Sequence, residues 1–146
     1  MSLLNEDVWF VPIYWRQYDL EELYFHSYRI NRCGDIYNIN RMKKMKIFKG
    51  TSGYNKTKLT HTEKGHINVS IRRLVACTFI ENNNKLLNCF IDHINGIKTD
   101  DCVYNLEWVT PKENAIRAAK LSGTHIIHES KVLIPENQLS LFPNER

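Results

Sequence analysis

Two short blocks of sequence decide how the fold of this chain is interpreted: Asp92-His93-Ile94-Asn95-Gly96 and Asn105-Leu106-Glu107-Trp108-Val109-Thr110-Pro111-Lys112-Glu113-Asn114. The apolar pair Phe90-Ile91 leads into the first block, and Leu106 to Val109 indicates a second short strand. A helix should follow, because Thr110 can cap it, Pro111 suits its first turn and Glu113 completes a capping box. The blocks therefore predict a unit of strand, loop, strand and helix.

Four side chains in these blocks have the chemistry of a metal-assisted hydrolytic site. Asp92 and His93 end the first strand, Asn105 follows 12 residues after the histidine, and Asn114 follows 21 residues after it. The predicted unit lets Asp92 and Asn114 meet where the hairpin joins the helix. Two oxygen ligands with open positions suit a hard divalent ion, most of all Mg²⁺, with Mn²⁺ as the second candidate. Next to them, an imidazole can accept a proton from a water that attacks a phosphodiester.

This arrangement resembles the HNH nucleases of the ββα-metal fold, specifically the homing endonucleases of phages, introns and large viruses. The two blocks resemble the signature blocks of that family at the expected separation, and Arg73 to Ile80 resembles its LVA-x-x-F-I helix. Ser52-Gly53-Tyr54 and the strands after it resemble the β-region that precedes this helix. Tyr28 to Asn38 resembles, more weakly, a small module often placed before these nucleases. The resemblance covers about residues 28–120 and is specific from 73 to 114.

The resemblance implies a role for each of the four residues. His93 would be the general base, and Asp92 and Asn114 would bind the metal. Asn105 would hold the His93 imidazole in its working orientation through a carbonyl oxygen. Two positions depart from the family pattern. Asn114 stands where many relatives have a histidine, which changes the metal preference, and Arg72 stands where a histidine often precedes the helix.

Positive charge is concentrated in one segment of the chain. Residues 28–73 contain twelve Lys and Arg against two acids, a net +10, whereas the whole chain is +4, so the remainder carries −6. Such segregation favours a polyanion partner, because each phosphate contact releases counterions. A solvated face that keeps the protein soluble explains the charge equally well. The candidate DNA-binding residues, expected to contact mainly phosphates, are Arg41, Lys43, Lys44, Lys46, Lys49, Lys56, Lys58, Arg72 and Arg73.

We expect an α+β fold in which a small antiparallel β-rich module precedes the ββα-metal (HNH) core. Residues 1–71 are predicted to form a basic DNA-binding region, residues 72–121 the nuclease core, and residues 122–146 a C-terminal tail. In the first region, Gly34 marks a hairpin turn, and two further strands are predicted at Lys56 to Thr60 and His66 to Ile71. Few residues follow the core, so target recognition is expected to lie before it.

Composition argues against several other classes of protein. No apolar run approaches the ~18 residues that a membrane span needs, and the N-terminus lacks the pattern of a signal peptide. We therefore expect a cytoplasmic protein, in a phage-infected bacterial cell if the family resemblance holds. The cysteines have no C-x-x-C spacing, so a zinc finger is poorly supported and reduced thiols are expected at Cys33, Cys77, Cys89 and Cys102. Trp108 is expected in the hairpin core.

The tail contains a second motif, Gln138-Leu139-Ser140-Leu141-Phe142. It resembles the short pentapeptide by which bacterial polymerases and repair proteins dock on the sliding clamp. In that interpretation Leu141 and Phe142 enter an apolar pocket while Gln138 fixes the direction of the peptide. In the alternative, Leu139, Leu141 and Phe142 cover the protein's own core or pair with a second subunit.

The sequence as a whole predicts a metal-dependent DNA endonuclease of the HNH homing type. Its substrate would be double-stranded DNA, which it would nick or cut through both strands, as a monomer or a homodimer. Two alternatives stay open. One is an HNH-fold DNA-binding or clamp-directed phage protein without catalytic activity, and the other is a weakly specific defence or toxin nuclease.

Overall fold

The computed structural model describes residues 8–16 and 19–122, with the backbone alone for the last two of these. Two α-helices lie in this part of the chain, α1 (Ile71–Phe79) and α2 (Pro111–Ser122), and a short 3-10 turn covers Val103–Asn105. Ten strands pair antiparallel in four small sheets: β1 (Ile13–Tyr14) with β2 (Leu23–Tyr24); β3 (Tyr28–Ile30), β4 (Ile36–Asn38) and β5 (Lys43–Lys44); β6 (Phe48–Lys49), β7 (Asn55–His61) and β8 (Gly65–Ser70); and β9 (Phe90–His93) with β10 (Leu106–Val109).

The predicted hairpin around Gly34 is present between β3 and β4. Gly34 adopts a φ of +89°, and a Cβ atom built on it would lie 2.8 Å from the Ile71 side chain. Glycine is therefore required for two reasons, the left-handed backbone and the close approach of the turn to α1. The turn thus fixes the N-terminal hairpin against the helix.

Strands β7 and β8 form the long hairpin that leads into α1. Thr57 and Leu59 point into the core and are fully buried, so Lys56 and Lys58 point to the opposite face of β7. The sequence predicted both strands and the helix after them, and the structure starts α1 at Ile71. Basic side chains therefore alternate with core side chains along β7.

Helix α1 is the centre of the hydrophobic core. Leu74, Val75 and Ala76 are fully buried. Burial of the Leu74 and Val75 side chains contributes about 1.5–3 kcal/mol each to the free energy of folding. The cluster around them includes Ile36 from the N-terminal hairpin and Leu106 from β10. One apolar core thus joins the N-terminal strands to the predicted nuclease unit.

The predicted strand–loop–strand–helix unit is β9, the loop from Ile94, β10 and α2. The capping box that the sequence predicted is formed: Glu113 N–H donates to Thr110 Oγ1 at 3.1 Å, and Thr110 N–H donates to Glu113 Oε1 at 2.9 Å. Trp108 lies on the core-facing side of the hairpin and stacks on Trp15. Its Nε1 donates to Ile80 O at 3.1 Å. The mixed architecture confirms the predicted fold class.

No described helix is long and apolar enough to cross a membrane. The four cysteines are free thiols, as the sequence predicted. Cys77 is buried beside Trp15, and this burial raises the pKa of its thiol to about 12.

Candidate active site

The antiparallel register of β9 and β10 places Asp92 directly opposite Glu107. Cross-strand partners share one face of the hairpin, so the two carboxylates lie side by side there. Arg117 of α2 joins them, since its Nη1 donates to Asp92 Oδ2 at 3.0 Å and to Glu107 Oε1 at 3.1 Å. The three side chains together carry a net charge of about −1.

Arg117 is held in its charged form by this arrangement. Burial alone lowers its pKa, but the hydrogen bonds and charges of Glu107 and Asp92 outweigh that effect, so the pKa of Arg117 lies above its ordinary value. A permanently charged Arg117 clamps Asp92 against α2. The aspartate is thereby fixed to the helix that carries the second predicted ligand.

Asn114 lies on the same face of α2 as Arg117, because the two residues are three positions apart in a helix. The capping box sets where the helix begins, and so places Asn114 in its first turn. The structure therefore directs Asn114 and Asp92 to the same joint between β9 and α2. The Asn114 amide makes no hydrogen bond with any described residue and is free to act as a ligand.

The donor set at this joint fits a hard divalent cation. Asp92 Oδ2 is taken by Arg117, but no described residue donates to Asp92 Oδ1, which leaves that oxygen and the Asn114 carbonyl. Mg²⁺ typically takes one or two protein oxygens and completes its shell with waters and substrate phosphate. No group of three or more His, Cys, Asp or Glu with metal geometry occurs among the described residues. The Asp92 and Asn114 oxygens thus suit an oxygen-coordinated ion.

His93 ends β9 on the opposite face from Asp92, as strand alternation requires. Its Nε2 lies 2.8 Å from Asp101 Oδ1, and only 4% of each side chain is exposed. Because a carboxylate accepts, Nε2 carries the hydrogen and Nδ1 is left as the basic nitrogen. Tyr54 stacks on the imidazole with the ring centroids 5.7 Å apart. The ring is therefore fixed both in its plane and in its tautomer.

Asp101 is itself held by a residue from the β-rich region. Asn55, at the start of β7, donates through Nδ2 to Asp101 Oδ2 at 3.2 Å. The same amide lies 3.3 Å from Thr99 O. One carboxylate oxygen of Asp101 thus faces His93, and the other accepts from Asn55. The orientation of the histidine therefore depends on the loop after β9 and on the start of β7.

The predicted contact between Asn105 and the His93 imidazole is not formed, and this prediction is corrected. The Asn105 amide instead accepts from Asn95 N–H at 3.0 Å and donates to Asn95 Oδ1 at 3.0 Å and to Asp100 O at 2.9 Å. Its backbone carbonyl accepts from Ile94 N–H. Asn105 therefore closes the loop between β9 and β10. That loop carries Asp101, which takes the position expected for Asn105.

The predicted DNA-binding residues lie at three places in the structure. Arg41, Lys43, Lys44, Lys46 and Lys49 are exposed between β4 and β6, although Lys44 also pairs with Asp35 at 3.2 Å. Lys56 and Lys58 lie on the outer face of β7. Arg72 and Arg73 begin α1, next to the candidate site. The residues from 41 to 58 therefore form a basic surface on the β-rich side, and the two arginines form a separate group.

Arg73 is more enclosed than a residue that only contacts phosphate. Its Nε donates to Trp15 O, its Nη1 donates to Cys89 O at 3.2 Å, and its guanidinium lies over the Trp108 ring. The predicted tail residues Gln138, Leu139, Leu141 and Phe142 lie outside the described residues.

Sequence reasoning missed three side chains at this site: Asp101, Arg117 and Tyr54. The only signal for Arg117 is its spacing of three residues from Asn114 on an amphipathic helix. Asp101 and Tyr54 carry no local signal, because each reaches His93 through a loop or from another sheet.

Comparison with known proteins identifies the family that this part of the chain resembles. Residues 87–116 match the family described as HNH endonuclease. YosQ, an SPbeta prophage-derived protein of Bacillus subtilis (strain 168) that is named as an HNH homing endonuclease, is 40% identical over 92 residues, which are 63% of this chain and 52% of YosQ. DNA endonuclease I-HmuI of Bacillus phage SP01 is 33% identical over 91 residues, which are 62% of this chain and 51% of I-HmuI.

A solved structure extends the comparison to three dimensions. The structure described as DNA binding and cleavage by the HNH homing endonuclease I-HmuI matches with a TM-score of 0.58 and 28% identity, over 70% of this chain and 60% of that one. The chain spans about half the length of YosQ and I-HmuI. These matches support the family that the two sequence blocks indicated: residues 87–116 match the HNH endonuclease family, and the chain is similar to HNH homing endonucleases in sequence and in fold.

Proposed function

We propose that this chain is a metal-dependent DNA endonuclease of the HNH homing type, which hydrolyses phosphodiester bonds with His93 as general base. One observation carries the proposal. Two adjacent residues of β9 are each prepared for a different task, Asp92 by its contact with Arg117 on α2 and His93 by its contact with Asp101. A histidine with a fixed tautomer, adjacent in the strand to a carboxylate held at the joint with α2, supplies the base and the oxygen ligand that metal-assisted phosphodiester hydrolysis uses.

His93 would act through Nδ1, because Nε2 is occupied by Asp101. Nδ1 takes a proton from water as the water oxygen bonds to phosphorus, the bond from phosphorus to one ester oxygen breaks, and this leaving oxygen takes a proton from a second water. The products are one phosphate end and one hydroxyl end. The carboxylate of Asp101 stabilises the imidazolium formed in this step, as a charge-assisted hydrogen bond is stronger than a neutral one.

Asp92 and Asn114 would hold the divalent ion, most of all Mg²⁺, with Mn²⁺ as the second candidate. When bound, such an ion stabilises the negative charge that develops on the phosphate and the leaving oxygen. Arg117 keeps Asp92 in place and offsets its repulsion from Glu107. Asn105 would act indirectly, because its hydrogen bonds keep closed the loop that carries Asp101.

The basic surface of residues 41–58 would hold double-stranded DNA through its phosphates. A concave region of about 560 Å³ on the same side is lined by Arg41, Lys58 and His66 and has no carboxylate among its described lining residues. Such contacts position the duplex without reading its sequence. A single site in one chain makes a nick the simplest product, and cutting both strands would take a homodimer or two visits.

The similarity to a prophage protein and a phage endonuclease supports a phage-encoded enzyme that acts in the cytoplasm of an infected bacterial cell. DNA cleavage by I-HmuI supports the activity, and the substrate of this chain is proposed on that basis.

A plasmid assay tests the proposal. Supercoiled plasmid is incubated with the protein and Mg²⁺, and with the protein and a chelator, and the open-circular and linear forms are measured on a gel. We expect nicking with Mg²⁺ alone, and loss of nicking in His93→Ala. His26→Ala is the matched control, because His26 also stacks on a tyrosine but lies outside the site. Undiminished nicking by His93→Ala would contradict the mechanism, and an inert wild type would favour the DNA-binding alternative.

A further inference from the structure

A cavity of about 280 Å³ lies between the start of α1, the start of β9 and the first turn of α2. We call it the arginine cavity and define it by Tyr54, Ser70, Arg72, Arg73 and Asn114, with residues 89–91 as its wall. Two arginines and no carboxylate are among its described lining residues. An empty space with this lining has a strong excess of positive charge.

Arg72 is held at the cavity without using its hydrogen-bonding capacity. Its guanidinium carbon lies 3.7 Å from the centroid of the Tyr54 ring, and it makes no hydrogen bond with any described residue. Tyr54 is the ring that also stacks on His93. A cation–π contact therefore places a guanidinium with unused donors one ring away from the predicted general base.

Arg73 adds a second positive charge at the cavity wall. Its Nη2 is the one buried side-chain nitrogen or oxygen in the described parts of the chain that has no hydrogen-bond partner. Leaving a buried charged donor unpaired is costly, because its desolvation is not offset. The Arg73 guanidinium thus keeps its positive charge at the cavity wall without a carboxylate partner among the described residues.

The backbone around the cavity is also arranged for an anion. Ser70 is the N-cap of α1 but makes no side-chain capping hydrogen bond, and the first turn contains no acid. Arg72 and Arg73 lie in that turn, where positive charge is repelled by the helix dipole. A negative group bound there would be stabilised by the helix dipole and by the charges of both arginines.

We propose that the arginine cavity binds one phosphate group of the DNA backbone next to the phosphate that is cleaved. Arg72 is the principal ligand, Arg73 adds its positive charge at the cavity wall, and Tyr54 keeps Arg72 aligned with His93. This proposal rests on the proposed function. Because Asn114 lines the same cavity, the bound phosphate would lie beside a predicted metal ligand.

A substitution at Ser70 tests this without cleavage. Ser70→Asp places a carboxylate at the N-terminus of α1, where it caps the helix and occupies the position of the phosphate, whereas Ser70→Asn caps the helix without charge. We expect Ser70→Asp to raise the Tm above that of Ser70→Asn and to weaken binding to a short mixed-sequence duplex, measured by fluorescence anisotropy in a chelator. Loss of one phosphate contact lowers the slope of log K against log salt by about 0.9.

Asn83→Asp controls for added negative charge, because Asn83 is exposed in the loop after α1 and outside the cavity. The proposal is overturned if Ser70→Asp binds DNA as Ser70→Asn does, or weakens binding only as much as Asn83→Asp.

Inorganic phosphate separates this proposal from the proposed function. We expect phosphate, compared with chloride at equal ionic strength, to raise the Tm of the wild type, and this shift to be absent in Arg72→Gln and present in Arg32→Gln. Arg32 is a matched control, because its guanidinium also lies over aromatic rings, those of Phe10 and Phe79. Equal shifts in all three proteins would refute the cavity even if the enzyme cleaves DNA. A wild type that binds no DNA would refute the proposed function, and the phosphate shift would still decide the cavity.

Discussion

Replacing Asp101 by asparagine removes a charge from the contact that holds His93 and leaves its shape almost unchanged. In the wild type the Asp101 carboxylate lies 2.8 Å from Nε2, and both side chains are buried. Water therefore screens the pair little, and the charge-assisted hydrogen bond is worth about 1.5–3 kcal/mol to the imidazolium that forms when His93 takes a proton. Each 1.36 kcal/mol is a factor of ten in rate, so we expect the kcat of Asp101→Asn to fall about 10- to 150-fold.

The assay is single-turnover plasmid nicking in Mg²⁺, with DNA binding measured separately in a chelator. Binding should be unchanged, because Asp101 is buried and reaches DNA only through His93. Asp100→Asn is the matched control, since the neighbouring carboxylate contacts Asn95 instead of the imidazole. A kcat for Asp101→Asn that equals that of Asp100→Asn would refute the role of Asp101. Equal losses of affinity and rate would show that the substitution disturbs the DNA-binding surface instead.

Three further predictions concern other parts of the chain. Thr110→Ala removes one half of the capping box and should lower the free energy of unfolding by about 1 kcal/mol in urea denaturation, and an unchanged midpoint would contradict the capping role. Iodoacetamide at mildly alkaline pH should modify the exposed Cys33 and spare Cys77, as peptide mapping would show, because burial raises the pKa of the Cys77 thiol to about 12. The neutral Cys77 thiol stabilises the fold below the unfolded pKa near 9, and this contribution is lost as the pH rises towards 12, which alkaline unfolding would measure. A pull-down with a bacterial sliding clamp should lose the protein when Leu141→Ala and Phe142→Ala are combined, and equal retention would end the clamp interpretation of the tail.

The sequence predicted those parts of the structure that depend on local rules. The turn at Gly34 follows from the conformational freedom of glycine between two alternating segments. Helix α2 follows from the Thr110 and Glu113 capping box, and the packing of the partly buried Trp108 against the core follows from its place in a short apolar strand. In each case residues a few positions apart determine the outcome, so the pattern is visible without the fold.

The interactions around His93 could not be predicted in this way. Its contact with Asp101 depends on the path of the loop between β9 and β10. Asn105 closes that loop by hydrogen bonds to Asn95 and Asp100, and no local sequence rule predicts these bonds. The contact of His93 with Tyr54 depends on where the turn before β7 places that ring beside β9. The family resemblance assigned the imidazole support to Asn105, and the structure assigns it to Asp101. The roles of Asp92 and Asn114 as ligands, the DNA-binding residues and the three-part division of the chain stay predictions.

The shared core around α1 has a consequence for where a bound duplex would be cut. The helix has nine residues and so is about 13 Å long, which equals roughly four base-pair steps along DNA. Its buried face packs against both the N-terminal hairpins and the β9–β10 hairpin. These two parts of the structure therefore cannot slide past each other without opening the core. If the chain cleaves DNA as proposed, this rigid core fixes the spacing between the basic surface and the candidate site. The phosphate that is cut should then lie at a constant distance along the backbone from the phosphates that the basic surface holds.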